Sequence, residues 1–244
     1  MLEEVMSQAF WLGLLKIIGV NVILSGDNAV VIALAARSLP AKQQTQAIVW
    51  GSGAAIVMRV ILTLFAVALL TLPWLKIVGS LLLFWIGVKL LVPEDGDDDI
   101  AASDQLLAAI KTILVADLVM SLDNVIAVAA AAGGSIVLLI LGLGISIPLV
   151  IFGATLLLKA MERFPVIITI GAGLIGWVAG EMLITDRALE GWLTGLGVHM
   201  QDGKPFVGGW SLEYLCGAAG VVIVIALGSW IARKKNGAAD AANS

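Results

Sequence analysis

Asn21-Val22-Ile23-Leu24-Ser25-Gly26-Asp27-Asn28 lies in the middle of an apolar run, and its polar pattern returns 96 residues later as Asp117-Leu118-Val119-Met120-Ser121-Leu122-Asp123-Asn124. The correspondence extends outward from these octets. Gly51-x-Gly53 is matched by Gly142-x-Gly144, and Pro73, Gly79, Trp85 and Lys89 by Pro165, Gly171, Trp177 and Glu181. Apolar segments resemble one another by chance because Leu, Val and Ala dominate them, but Ser-x-Asp-Asn placed twice at mid-segment does not arise that way. The pattern reads as a duplication of three segments. Three crossings is an odd number, so the two copies run in opposite directions through a bilayer, the signature of an inverted-repeat transporter with its site near the midplane.

The chain around the repeat is suited to lipid. Of 244 residues, 60% are hydrophobic and 13% charged, with mean hydropathy +1.06, which excludes a water-soluble enzyme. Seven apolar runs, at 10–36, 47–72, 74–92, 106–132, 135–158, 164–184 and 212–232, are each long enough to cross roughly 30 Å of hydrocarbon. The expected fold is an all-α membrane protein of seven transmembrane helices: a 3+3 inverted repeat plus one additional C-terminal helix. The whole chain, 1–244, forms one transmembrane domain. Repeat 1 covers about 10–92, an acidic cytoplasmic linker 93–105, repeat 2 about 106–184, an external loop 185–211, helix seven 212–232 and a basic cytoplasmic tail 233–244. The unpaired seventh helix is expected to buttress the bundle or to form a homodimer contact.

Charge sets the orientation. With the N-terminus outside, Arg37, Lys42, Lys89, Lys111, Lys159, Arg163, Arg233, Lys234 and Lys235 fall inside, and only Lys76, Arg187 and Lys204 outside. The expected placement is a multi-pass protein of the plasma (cell inner) membrane, N-terminus out and C-terminus cytoplasmic. Met1-Leu2-Glu3-Glu4 is acidic where a signal peptide is basic, so the first run reads as a retained span. The acidic stretch Glu94-Asp95-Gly96-Asp97-Asp98-Asp99 supplies much of the net charge of −4 and argues against a nucleic-acid partner. One cysteine, Cys216, and one histidine, His199, cannot build a Cys/His metal cluster. The loop 185–211 reads chiefly as a connector, with a segment lying on the membrane or a cap on a mouth as the alternatives.

The deep polar groups carry the function. Asp at a helix centre costs about 2.5–3.5 kcal/mol on insertion scales, so Asp27, Asp117 and Asp123 need a partner or a purpose. On a straight helix Asn21, Ser25 and Asn28 share a face while Asp27 points roughly 100° away from Asn28, and Gly26 offers a point of local unwinding that would re-aim the carboxylate. If the two motifs meet, three carboxylates and the amide oxygens of Asn21, Asn28 and Asn124 offer up to six hard oxygen donors, suited to Mg²⁺, Ca²⁺ or Mn²⁺. Ser25 and Ser121 would support those carboxylates or ligate, or simply bond helix to helix. Arg59, midway along its run, is expected to pair with one of the Asp residues, with a water-filled cavity as its alternative. Clustered carboxylates would also couple metal release to proton entry.

N-x-x-x-S-G-D-N at 21–28 and D-x-x-x-S-x-D-N at 117–124 resemble the motifs of the TerC-like integral membrane family, particularly its short YjbE-like branch. The resemblance runs over 11–230, nearly the whole chain. It implies a role in metal-ion homeostasis, chiefly Mn²⁺ efflux, with a historical association with tellurium resistance. By similarity, Asn21, Asp27, Asn28, Asp117, Asp123 and Asn124 form the metal site, and Mn²⁺ is cargo rather than a prosthetic group. The second copy opens with Asp in place of Asn, which argues against a strictly symmetric site. Tellurite is a poor direct cargo because three carboxylates repel an oxyanion.

Two other readings stand beside transport. A non-transporting assembly or stress-resistance factor would use the acidic loop as a docking surface. An intramembrane aspartyl protease would use Y-D and G-x-G-D signatures, which Leu24-Ser25-Gly26-Asp27 and Met120-Ser121-Leu122-Asp123 do not match, so no enzyme activity is expected.

Overall fold

In the computed structural model, residues 8–65, 69, 72–92, 102–133, 135–201 and 203–242 are described, apart from the side chains of 8–9, 102, 123 and 236–242. The first apolar run forms two helices, α1 (Gln8–Leu24) and α2 (Gly26–Ala36), bent by 51° at Ser25. The break falls one residue before Gly26. Next come α3 (Ala41–Leu64), α4 (Leu75–Leu91), α5 (Ala102–Ala132), α6 (Ile136–Arg163) and α7 (Val166–Ile184). A short α8 (Arg187–Gly195), strands β1 (His199–Gln201), β2 (Lys204–Val207) and β3 (Trp210–Ser211), and the long α9 (Leu212–Ala242) complete the chain.

The described residues hold five helices long and apolar enough to cross a membrane, or six when the bent α1–α2 pair is one span. The architecture is therefore that of an all-α, multi-pass membrane protein. The run at 74–92, read as a crossing, forms the 17-residue α4. At 1.5 Å per residue it is about 25 Å long, short of the hydrocarbon thickness unless the bilayer thins around it.

Two helix ends and the interior of one loop differ from expectation. α5 begins at Ala102, inside the stretch read as linker, and 93–101 lie outside the described residues. α9 runs through the basic tail to Ala242, with Lys234 Nζ 5.8 Å from the Trp230 ring centre. The loop 185–211 carries secondary structure of its own: β1, β2 and β3 pair in order as an antiparallel sheet. Gly203, Gly208 and Gly209 make its tight turns at φ +76, +57 and +86, a backbone region that costs glycine little.

The helices group into two compact units, Met1–Leu70 with Ala101–Ala160, and Thr71–Ile100 with Met161–Ser244. Each unit combines an earlier and a later stretch of the chain. In the first, α5 packs against α1, α2 and α3, around a core of Ile17, Ile56, Val128, Ala131, Leu139 and Leu143. Here Gly51 lies against Ile113, and its sequence counterpart Gly142 lies against Ile17, the residue 96 positions before Ile113. Neither glycine has room for a Cβ unless the isoleucine shifts. In the second unit α7 packs between α4 and α9. Gly176 meets Gly220, and Gly180 meets the Cys216 backbone, close approaches of the small-residue kind that join helices in lipid.

Candidate cation site

The site begins at the helix break. Ser25 has φ −110 and ψ 5, and its N–H turns back to the Val22 carbonyl at 3.3 Å. Continuing the helix would send the Asn28 N–H to the Leu24 carbonyl. It donates instead to Asp27 Oδ1 at 2.8 Å, while the Leu24 carbonyl accepts from Asn124 Nδ2 on α5 at 3.3 Å. The break thus draws a backbone carbonyl, the Asp27 carboxylate and two Asn side chains into one region, as in the discontinuous helices of transporters.

Deeper in the unit, Arg59 of α3 is 3% exposed and joins both motifs. Its Nη1 donates to Asn21 Oδ1 at 2.6 Å and to Ser25 Oγ at 2.8 Å. Its Nη2 donates to Asp117 Oδ1 at 2.5 Å, closing a buried ion pair. Within each motif the Ser bonds the residue one turn earlier: Ser25 Oγ donates to Asn21 Oδ1 at 3.4 Å, and Ser121 Oγ to Asp117 Oδ2 at 3.2 Å. The guanidinium therefore holds equivalent positions of the two motifs at once, the fork geometry for which Arg suits such sites.

Asn28 is the anomaly. It is buried, yet among the described residues neither Oδ1 nor Nδ2 has a hydrogen-bond partner, and Asn21 Nδ2 and Arg59 Nε are in the same condition. A buried amide left unpaired costs about 1–3 kcal/mol, so native proteins keep few of them. The two motifs differ in their surroundings. Asn124 bonds the Leu24 carbonyl that the break frees, whereas the matching carbonyl for Asn28, that of Met120, stays inside the unbroken α5.

The structure thus brings together Asn21, Ser25, Arg59, Asp117 and Ser121 in one network, with Asp27, Asn28 and Asn124 at the break. The side chain of Asp123 lies outside the described residues. Among the described residues, no group of three or more acidic, His or Cys side chains converges to hold a metal ion. Any cation there would draw on amide and backbone oxygens as well as carboxylate.

A second buried carboxylate was missed at the sequence level. Asp186 is 2% exposed in the second unit. It accepts backbone N–H bonds from Ala188, Lys76, Trp74 and Ile77 at 2.7, 2.9, 3.0 and 3.1 Å, capping α8 and tying the start of α4 to it. Trp74, held in this way, has φ +70, a conformation costly for a residue with a side chain. The local sign was an Asp directly before Arg187-Ala188-Leu189, an N-cap signal inside what read as loop. Burial works to raise the Asp186 pKa, but the four N–H donors outweigh it and hold the carboxyl below its ordinary value. Its contribution to stability is then fully present above the unfolded value near pH 4 and is lost as pH falls through the folded value. Asp186→Ala is expected to lose about 2 kcal/mol at neutral pH. The difference in melting temperature from the wild type should narrow in acid, and equal melting at neutral pH would refute the tie.

A set of membrane-length helices around a buried charged network, with one helix broken beside a carboxylate, defines the chain as a multi-pass integral membrane protein. It belongs to the TerC family: the family described as "Integral membrane protein TerC family" matches residues 6–236. The uncharacterized membrane protein YjbE of Bacillus subtilis (strain 168) is 45% identical over 185 residues, spanning 76% of this chain and 85% of that one. From the same organism, the uncharacterized membrane proteins YkoY and YceF are 26% and 29% identical, over 72% and 66% of this chain and 60% and 66% of theirs. No solved structure matches the chain.

Proposed function

We propose that this chain is a divalent metal-ion transporter of the plasma membrane, with Mn²⁺ as its cargo and efflux as its direction. One observation carries the reading: a helix broken at Ser25 presents the Asp27 carboxylate beside a buried Asn28 amide with no partner among the described residues. Hard oxygen donors, with no thiol or imidazole among them, suit a hard divalent cation. In this reading Asn21, Asp27, Asn28, Asp117, Asp123 and Asn124 form the site, and proton uptake by its carboxylates accompanies metal release.

The same reading has α4 as a crossing, giving seven, with the N-terminus outside and the C-terminus cytoplasmic. The inverted repeat is supported by reciprocal packing. Gly51 of the first copy receives Ile113 of the second, and Gly142 of the second receives Ile17 of the first, a relation that a pseudo-two-fold exchange preserves. The test is ion flux in proteoliposomes of known orientation, with a panel of divalent cations and an imposed pH gradient. Mn²⁺ is expected to move, and proton movement to accompany it. Folded protein that moves no divalent cation would overturn the proposal in favour of an assembly or stress-resistance factor.

A further inference from the structure

Resting on the transport reading, we propose that Arg59 is a tethered cation that competes with the metal ion for Asn21 and Asp117. It neutralises Asp117 when the metal leaves, while protons neutralise the site's other carboxylates, and so permits net efflux rather than exchange alone.

Three observations lead here. Asn21 and Asp117 are the same position in the two copies, so the guanidinium that bonds both stands where an ion shared by the two motifs would stand. The second concerns the oxygens. Asn21 Oδ1 accepts from Arg59 and Ser25, Asp117 Oδ1 accepts from Arg59, and Asp117 Oδ2 accepts from Ser121. A divalent ion cannot use these oxygens while a guanidinium charge holds them, because the two cations would repel at contact distance in a medium of low dielectric. Third, the grip of Arg59 is all at its tip. Among the described residues Nε has no partner, and the hydrogen bonds run from Nη1 and Nη2. Withdrawing a long, flexible side chain breaks those terminal bonds without disturbing α3.

The functional consequence follows from charge. A carrier whose carboxylates are uncompensated after release pays heavily to reorient through lipid, and such a carrier works only by exchanging one ion for another. A resident guanidinium removes that barrier. It also favours divalent cargo, since displacing one positive charge by another gains little, whereas displacing it by two gains more.

The test uses the full-length protein, purified and reconstituted, as wild type, Arg59→Gln and Arg59→Lys. Gln keeps an amide donor for Asp117 but drops the charge, and Lys keeps the charge but loses the fork. Three quantities are read: Mn²⁺ affinity in detergent by calorimetry, net Mn²⁺ efflux into metal-free buffer, and exchange of radiolabelled Mn²⁺ with Mn²⁺ on both sides. Melting temperature is followed beside them. Losing charge-assisted bonds from the competitor should tighten Mn²⁺ binding by about tenfold or more in Arg59→Gln. Net efflux should fall by a similar factor while exchange persists, and Arg59→Lys should fall between.

Folded Arg59→Gln that binds Mn²⁺ no tighter, loses both transport modes together, or keeps full net efflux overturns the proposal. Should Arg59→Gln fail to fold, Arg59→Lys decides, and an unchanged affinity and an unchanged ratio of net flux to exchange overturn it. If Mn²⁺ binding tightens while even the wild type moves no ion, the competition stands and the transport reading fails. Wild type that neither binds nor moves Mn²⁺ ends both.

Discussion

Asp27→Asn is expected to reduce Mn²⁺ flux by about a hundredfold or more while leaving the melting temperature at or above that of the wild type. Asn keeps an oxygen for the Asn28 N–H and nearly the same volume, so the local turn at the break survives. What disappears is the charge that a hard cation needs. Asn28→Leu sharpens the contrast, because among the described residues its side-chain amide bonds nothing, and an apolar residue of similar size removes a buried, unpaired group. That variant should fold at least as well as the wild type and transport less. Normal flux in a folded Asp27→Asn protein would place the cation elsewhere.

The other large effect concerns stability. Asp117→Ala should cost about 3–5 kcal/mol, because it leaves the Arg59 guanidinium buried without its carboxylate. Asp117→Asn is milder: it retains an acceptor for Nη2 and gives the second copy the residue that Asn21 already supplies in the first. The double variant Arg59→Met with Asp117→Leu removes both charges and should recover most of the loss. Thermal unfolding in detergent measures all three against the wild type. If Asp117→Ala melts with the wild type, the pair does not hold the helices, and the coupling in the double variant should then vanish too.

Much of this was legible in the residues, and the failures have physical causes. Apolar runs of sufficient length declare membrane helices because lipid offers their backbone no alternative. Arg59 could be assigned a carboxylate partner because an unpaired guanidinium at that depth is untenable, and the structure gives it Asp117. The position of the break was harder. Gly26 drew attention as the flexible residue, but the backbone departs at Ser25, where its N–H turns back to Val22 and the freed Leu24 carbonyl finds Asn124 in the other copy. No single octet shows that bond, since it depends on two segments meeting. The same holds for Asp186, whose partners Trp74, Lys76 and Ile77 are more than a hundred residues away. The small sheet was passed over because strands of two to four residues leave no periodicity to read, although Gly208-Gly209 marked a turn.

The division of the helices also bears on how the chain is made. The unit that contains Arg59 is assembled from Met1–Leu70 and Ala101–Ala160, so it cannot close until the later stretch has left the ribosome. Until then Gly51 lacks Ile113, and Arg59 has Asn21 and Ser25 from its own half but no carboxylate from the other. Synthesis therefore passes through a stage at which a charged side chain waits in or near the bilayer with half of its partners. A chain that stalls there exposes the kind of intramembrane charge that is costly to leave unpaired.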